Sequence, residues 1–170
     1  IKGTGEVFLE PTFGHYMIVN LDDDALIFDK SAFYCASSSM EVSAVMQKNV
    51  SSALFGGEGL FQTQVKGTGV VVLNSPVPAS ELLTYQLETG EKLSVDGNFA
   101  FARTSTVQFA AEKSGKTLFQ SVTSAEGLLQ TFTGPGIVWI APTQGVYDKI
   151  ALEHGIAQLS ASQGSMGTKT

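Results

Sequence analysis

Hydrophobic and polar residues alternate with a period of two through much of the chain. The pattern is seen at Val7 and Leu9, at Val107 and Phe109, and at Leu128, Gln130 and Phe132. Successive side chains of a β-strand point to opposite faces of its sheet, so this alternation is typical of half-buried strands. The helical spacing of about 3.6 residues is nearly absent. The sequence therefore predicts an all-β fold.

Turn-forming residues separate the predicted strands at short intervals. They occur at Asp22–Asp24, Gly56–Gly57, Thr89–Gly90, Asp96–Asn98 and Ser114–Gly115. Glycine supplies positive φ angles, and Asp and Asn bond to nearby backbone amides, so these residue types favour turns. Short strands at such intervals predict a β-sandwich or a β-barrel.

One segment near the C-terminus departs from the strand pattern. Between Tyr147 and Ser162, apolar residues recur at loosely helical spacing, interrupted by Gly155, so we predict a short C-terminal helix. The following residues, 161–170, are small and polar, and we predict a flexible tail there.

The chain also repeats itself. Gly3–Pro11, Gly67–Pro76 and Gly134–Pro142 each begin with Gly-x-Gly, continue as an apolar run and end in Pro. The first two copies lie almost as far apart as the last two, and we call the interval from Gly67 to Gly134 the repeat offset. Further matches occur at the same offset, such as Phe33–Cys35 with Ala100–Ala102. These similarities predict a single domain over residues 1–160, with units near 3–66 and 67–133 and a partial unit at 134–150.

The Gly-x-Gly pairs have two interpretations. A dinucleotide-binding loop needs its glycines after a strand and before a helix, whereas here a predicted strand follows them. Because the pair recurs once per unit, we favour a structural role, in which glycine supplies positive φ or allows a close backbone approach. The glycines in question are Gly3, Gly5, Gly67, Gly69, Gly134 and Gly136.

Acidic residues also recur at turn positions. Asp29 and Asp96 are equivalent in the first two units, which indicates that their carboxylates cap backbone amides in turns. The run Asp22–Asp24 lacks the Gly and the later Glu of a calcium-binding loop, so we predict a solvated turn there.

Composition and charge exclude several classes of protein. The 170 residues carry a net charge of −6 with a pI near 4.8, which argues against a nucleic-acid partner. The single cysteine, Cys35, cannot form a disulfide within the chain and is expected to be a small buried hydrophobe. No stretch approaches the roughly 20 apolar residues of a membrane-spanning helix.

Candidate chemistry is sparse. The only two histidines, His15 and His154, have no acidic or cysteine residue at metal-ligand spacing that would face the same way, so neither a metal nor another cofactor is expected. No Gly-x-Ser-x-Gly nucleophile motif occurs either. We therefore predict that the protein is not an enzyme, although catalysis without a recognised motif stays open.

Three motifs together resemble a known family. They are Gly67–Pro76, Gly90–Ala102 and Glu126–Val138, and the resemblance extends over nearly all of residues 1–150. The sequence is similar to the altered inheritance of mitochondria family. The resemblance implies a β fold like that of the tryptophan RNA-binding attenuation protein, related to double-stranded β-helices. It also implies a part in mitochondrial biogenesis and peripheral association with the mitochondrial inner membrane. A eukaryotic member would be mitochondrial, and any other member cytoplasmic.

Two functions are compatible with these observations. The first is a non-enzymatic scaffold or protein-interaction domain that self-associates, because a chain that begins and ends part-way through a repeat exposes a sheet edge or an apolar face. The alternative is a small-molecule binding module that uses a cleft between the β repeats.

Overall fold

The computed structural model describes residues 5–9, 14–47, 50, 60–96, 99–113 and 128–164. Ten strands and one α-helix occur within these residues. The strands are β1 His15–Phe28, β2 Phe33–Ala36, β3 Glu41–Gln47, β4 Leu60–Ser75, β5 Leu83–Leu87, β6 Lys92–Asp96, β7 Ala100–Thr104, β8 Gln108–Lys113, β9 Leu128–Thr133 and β10 Gly136–Ile140. The helix, α1, spans Gln144–Gly164, and short 3-10 turns lie at Lys30–Ala32 and Ala79–Glu81.

The strands form two antiparallel sheets. The seven-stranded sheet has the order β2-β4-β1-β7-β10-β5, with β3 also paired to β4, and the three-stranded sheet has the order β6-β9-β8. The all-β prediction is confirmed. Neither sheet closes on itself among the described strands, so the barrel form of the prediction is wrong.

Two apolar clusters form the core of the described structure. The first contains Leu26, Phe28, Val65, Val71 and Leu73, all within the seven-stranded sheet. The second joins the two sheets and contains Val95, Phe109, Phe132, Val138 and Ile140. Each cluster draws on alternate residues of its strands, which is why the period of two predicted the fold class.

The internal repeat is visible in the strand register. Two strand pairs, β2 with β4 and β7 with β10, have the same pairing once the repeat offset is added to each position. The first pair aligns Phe33 with Leu73, Cys35 with Val72 and Ala36 with Val71. The second aligns Ala100 with Ile140, Ala102 with Trp139 and Arg103 with Val138. Even the irregularity in the ladder recurs, so the register of these two strand pairs follows the repeat offset. The bounds of the units and the single domain over residues 1–160 stay predictions.

The junctions between units are built differently. The boundary near residues 66 and 67 lies inside the continuous strand β4, whereas the next boundary is the turn at Gly134–Pro135 between β9 and β10. Within the units, Thr89–Gly90 is a turn that separates β5 from β6, as the sequence indicated.

The first-unit counterpart of that turn corrects a prediction. Asp22–Asp24 do not form a turn between strands; they lie inside β1, at an irregularity where Leu21 pairs with Gly69 and Asp24 pairs with Gly67. Three steps along β1 are matched by two along β4, and Asp23 takes up the extra residue with a φ of 49°. The Asp23 amide donates to Thr68 Oγ1 at 2.9 Å. Pairing with β4 therefore continues on both sides of this polar run, which forms a β-bulge within β1.

The first copy of the repeated motif is also corrected. Residues 6–9, which include the alternating Val7 and Leu9, have no strand structure, and Val7, Phe8 and Leu9 are 56%, 93% and 47% exposed. The later copies pair with strands on both sides, in β4 and β10. No described strand pairs with residues 6–9, and alternation without a partner does not produce a strand.

The C-terminal helix is present and longer than expected. Helix α1 begins three residues before the predicted Tyr147 and includes residues 161–164, which the sequence placed in a tail. The rest of that predicted tail, residues 165–170, lies outside the described residues.

Candidate functional site

The most unusual side chain in the structure is Arg103, the only arginine in the sequence. It lies on β7, the central link of the seven-stranded sheet, where it pairs with Ile27 of the first unit and with Val138 of β10. Only 3% of Arg103 is exposed. A guanidinium group is rarely buried to this extent without a charged partner, which makes its surroundings informative.

Two glutamines from the first unit hold the guanidinium. Arg103 Nη1 donates to Gln62 Oε1 at 2.8 Å, and Arg103 Nη2 donates to Gln47 Oε1 at 2.9 Å. The guanidinium carbon lies 4.9 Å from the centroid of the Phe109 ring. Residues of both units and of both sheets therefore meet at this one side chain.

Among the described residues, no acidic group compensates this positive charge. Burial lowers the pKa of Arg103 to about 10. Arg103 stays charged at neutral pH, because even the lowered pKa lies well above 7. The amide oxygens of Gln47 and Gln62 carry only partial negative charge. The full positive charge of Arg103 is therefore hydrogen-bonded only to neutral acceptors among the described residues.

Two buried donors in this cluster have no hydrogen-bond partner among the described residues. They are Arg103 Nε and Gln47 Nε2. Buried donors are normally satisfied, and an exception calls for an explanation such as an unseen water or ion. Both orphaned groups are N–H donors, so the missing partner must be an acceptor.

A small cavity adjoins the guanidinium. Its volume is about 40 Å³, and its walls combine the polar side chains of Arg103, Gln62 and Gln130 with apolar ones that include Ile27, Phe109 and Phe132. A single water needs roughly 10–15 Å³ of such space, so the cavity has room for a group of a few non-hydrogen atoms. We call this site the arginine cavity. It lies between strands of the first unit, β1 and β4, and strands of the second, β7, β8 and β9.

Comparison with protein families assigns the chain. The family model described as Mitochondrial biogenesis AIM24 matches residues 1–143. The chain belongs to this family. The resemblance seen in the sequence motifs is thereby confirmed, whereas the likeness to the tryptophan RNA-binding attenuation protein stays a prediction.

A solved structure shares the fold of this family member. The X-ray crystal structure of a protein from Streptococcus pyogenes matches with a TM-score of 0.60 and 20% sequence identity, over 82% of this chain and 59% of that protein. The chain thus spans about three-fifths of the length of that relative, and at this identity the match shows the fold alone. The search of curated proteins found no match.

Of the residues predicted from the sequence, those that the structure describes do not line the arginine cavity. Gly67 and Gly69 lie in β4, Gly134 precedes β10 and Gly136 begins it, while Gly5 lies outside any strand. Gly3 lies outside the described residues. Asp29 Oδ1 accepts from the Ser31 amide at 3.0 Å and thereby caps the first 3-10 turn. Asp96 ends β6, and its side chain is not among those described.

Two of these glycines occupy equivalent, crowded positions. Gly69 has a φ of +153°, and a Cβ there would lie 2.8 Å from Ser37 Cβ. Gly136, one repeat offset later, has a φ of +138°, and a Cβ there would overlap the hydroxyl of Thr104, the equivalent of Ser37. Both the torsion and the close approach exclude larger residues at these corners.

Sequence patterns did not single out Arg103. The available signal was its uniqueness, together with its position in Phe-Ala-Arg-Thr, where the first unit has Ala36. Without the fold, an isolated basic residue in a strand is indistinguishable from one that faces solvent.

A second polar cluster anchors the helix. Tyr147 OH donates to Glu81 Oε1 at 2.7 Å, and Thr143 Oγ1 donates to Glu81 Oε2. These bonds, the one from Thr143 first, lower the pKa of Glu81, and the bond to Glu81 raises the pKa of Tyr147. The His15 ring packs edge-on to the Tyr147 ring. The cluster joins α1 to the sheet, so we assign it a structural role.

The described part of the chain contains no group of three or more His, Cys, Asp or Glu residues placed to hold a metal ion. No helix there has the length and apolar character needed to cross a membrane.

Proposed function

We propose that this member of the mitochondrial biogenesis family is a non-enzymatic interaction domain that associates with copies of itself, edge to edge. Family membership supports a role related to mitochondrial biogenesis. The self-association is inferred from the way in which the two repeat units join each other.

The observation that carries the proposal is the pairing of β1 with β7. The last residues of β1 belong to the first unit, and β7 belongs to the second. Their ladder aligns Leu26 with Thr104, Ile27 with Arg103 and Phe28 with Ala102. One unit thus contacts the next by adding a strand edge to a strand edge.

The strands equivalent to β1 and β7 in the other unit each have an edge that pairs with no described strand. Strand β6 is the second-unit equivalent of the end of β1, and β2 is the first-unit equivalent of β7. Each is the last strand of its sheet among those described. An unpaired edge presents backbone donors and acceptors that favour pairing with another strand. The two edges are complementary because their equivalents already pair inside the chain.

The repeat offset defines the register of the proposed contact. Replacing each strand of the β1–β7 ladder by its equivalent in the other unit aligns β6 of one copy with β2 of a second copy. Leu93, Ser94 and Val95 would then face Ser37, Ala36 and Cys35 of the second copy. The contact uses different surfaces on the two copies, so it is head-to-tail and generates a ring or a chain of copies.

Cysteine cross-linking tests this register. Residues opposite each other in an antiparallel ladder have Cα atoms about 4.5–5.5 Å apart, which is within the range that a disulfide spans. Val95→Cys should therefore form a disulfide with the native Cys35 of another copy under mild oxidation, giving dimers and larger species on a non-reducing gel. The double variant Val95→Cys with Cys35→Ser should not form these disulfide-linked dimers and larger species. Val42→Cys, on exposed β3, should not form them either.

The unmodified chain gives an independent measurement. Its sedimentation mass and melting temperature should both rise over a roughly hundredfold range of concentration, because stability is coupled to assembly. A constant monomer mass together with an uncross-linked Val95→Cys variant would refute self-association.

The cellular part of the proposal follows the family. We propose a mitochondrial location for this domain in a eukaryotic cell, at the inner membrane, and a cytoplasmic location otherwise. Fractionation of cells that express the tagged chain checks it, and a eukaryotic protein recovered only in the cytosol would contradict it.

A second candidate function is the binding of a small molecule between the repeat units. It is favoured by the position of the arginine cavity, which has walls from both units. The two functions are compatible, since the cavity lies within the chain and the proposed contact uses its outer edges.

A further inference from the structure

We propose that the arginine cavity is a binding site for a small carboxylate anion. The inference does not depend on self-association, because every group that forms the site belongs to one chain. It names the class of ligand that the sequence left open when it indicated a cleft between the repeats.

The first observation is the balance of charge. Arg103 is 3% exposed, and its described partners are two neutral amide oxygens and an aromatic face. A buried charge is costly unless it is paired, and cation–π contact together with two amide acceptors compensates it only in part. An anion in the adjacent cavity would complete the compensation.

The second observation is the set of donors left over. Arg103 lines the cavity and its Nε has no partner among the described residues, while Nη1 and Nη2 each use one of their two protons on a glutamine. A guanidinium presents its protons in a planar fork that matches the two oxygens of a carboxylate. The glutamines fix the plane of this fork before any ligand arrives, which reduces the entropy lost on binding.

The third observation is the size and lining of the cavity. At about 40 Å³ it accommodates a few non-hydrogen atoms, as in acetate or propionate. The apolar side chains of Ile27, Leu60 and Phe132 suit a short alkyl group beside the carboxylate. Phosphate carries more negative charge, and one arginine with neutral glutamines would leave much of its charge unpaired. We therefore infer a short-chain monocarboxylate.

Nitrogen NMR of the intact chain tests the site directly. Arg103 is the only arginine, so the spectrum contains a single Arg Nε–H resonance, assigned without mutagenesis. We expect sodium acetate and sodium propionate to shift this resonance saturably, whereas sodium chloride at the same ionic strength does not. No saturable shift with either carboxylate would overturn the proposal. An equal or larger shift with inorganic phosphate would overturn the carboxylate class.

Variants give a second readout. Acetate should raise the melting temperature of the unmodified chain by mass action, and Arg103→Met should lose this increase. Lys66→Met removes a positive charge from the exposed face of β4 and should retain it. Arg103→Lys keeps the charge without the planar fork and should weaken binding at least about tenfold. If Arg103→Met does not fold, the Arg103 Nε–H resonance of the unmodified chain still tests carboxylate binding. Equal stabilisation of Arg103→Met and Lys66→Met by acetate would contradict binding at Arg103.

Discussion

Arg103 lies over the ring of Phe109, with the guanidinium carbon 4.9 Å from the ring centroid. Arg103 belongs to the seven-stranded sheet and Phe109 to the three-stranded one, so this contact crosses the interface between the sheets. Phe109 in turn packs against Phe132 of β9, with ring centroids 5.3 Å apart. The one arginine of the chain is thus part of the packing of the second apolar cluster.

Removing an acceptor from this charge should destabilise the fold. In Gln62→Leu, Arg103 Nη1 loses its 2.8 Å bond while the charge stays buried. We expect a loss of about 1.5–3 kcal/mol in the free energy of unfolding, measured by urea denaturation, because hydrogen bonds to charged groups contribute about that much. Gln86→Leu, on exposed β5, should change it by less than about 0.5 kcal/mol. Equal effects of the two substitutions would contradict this account of the site.

Gly136 should tolerate no side chain. Gly136→Ala combines a φ of +138° with overlap of the new methyl group on Thr104 and Thr106. We expect a loss of at least about 2 kcal/mol in the free energy of unfolding, since both strain and overpacking contribute. Gly145→Ala places its methyl group in open space on α1 and should be neutral or stabilising by up to about 1 kcal/mol. A Gly136→Ala variant as stable as Gly145→Ala would show that this corner relaxes freely.

Docking of α1 should depend on pH at both extremes. The pKa of Glu81 is lowered by bonds from Thr143 and Tyr147, so its contribution is present above the usual glutamate pKa and is lost as pH falls through the lowered value. The pKa of Tyr147 is raised by its bond to Glu81, so its contribution is present below the usual tyrosine pKa and is lost as pH rises through the raised value.

Hydrogen exchange of the α1 amides measures this dependence. Protection of the helix should be greatest between the two transitions and should fall in acid. Glu81→Gln should reduce the loss of amide protection in acid. Tyr147→Phe should lower the protection of the α1 amides at neutral pH. Tyr85→Phe, on exposed β5, serves as the matched control. Unchanged protection in Tyr147→Phe would mean that the helix is held by other contacts.

A buried and an exposed leucine of the seven-stranded sheet should respond differently to truncation. Leu73 is fully buried in the first cluster, and Leu83 is 46% exposed on β5. Leu73→Ala should lower the free energy of unfolding by about 2–5 kcal/mol, because it leaves a cavity in a packed core. Leu83→Ala should cost less than about 1 kcal/mol. Thermal or urea unfolding of both variants measures the difference, and similar losses would place Leu83 in a contact that the isolated chain does not show.

Local features of the sequence were sufficient for the strands and the repeat. Alternation predicts a strand wherever a partner is available, as in β8 and β9, because the side-chain period of a strand is a property of its own backbone. The repeat offset predicted equivalent elements, and the matching ladders around Cys35 and Ala102 confirm it. Asp29 also acts on its own neighbourhood, since the amide that it caps is two residues away.

The sequence by itself therefore determined the fold class, the repeat and the family, all of which depend on the order of residues along the chain. Only the tertiary structure decided which patterns were used. The sequence predicted a turn at Asp22–Asp24, but these residues lie within β1 because β1 pairs with β4 on both sides of them. Residues 6–9 show the alternation of a strand but pair with no described strand. The arginine cavity is the clearest case: Gln62 and Gln47 lie 41 and 56 residues from Arg103. Only the folding of the chain brings these two glutamines into contact with Arg103, so no local pattern could predict that the only arginine is buried between two units.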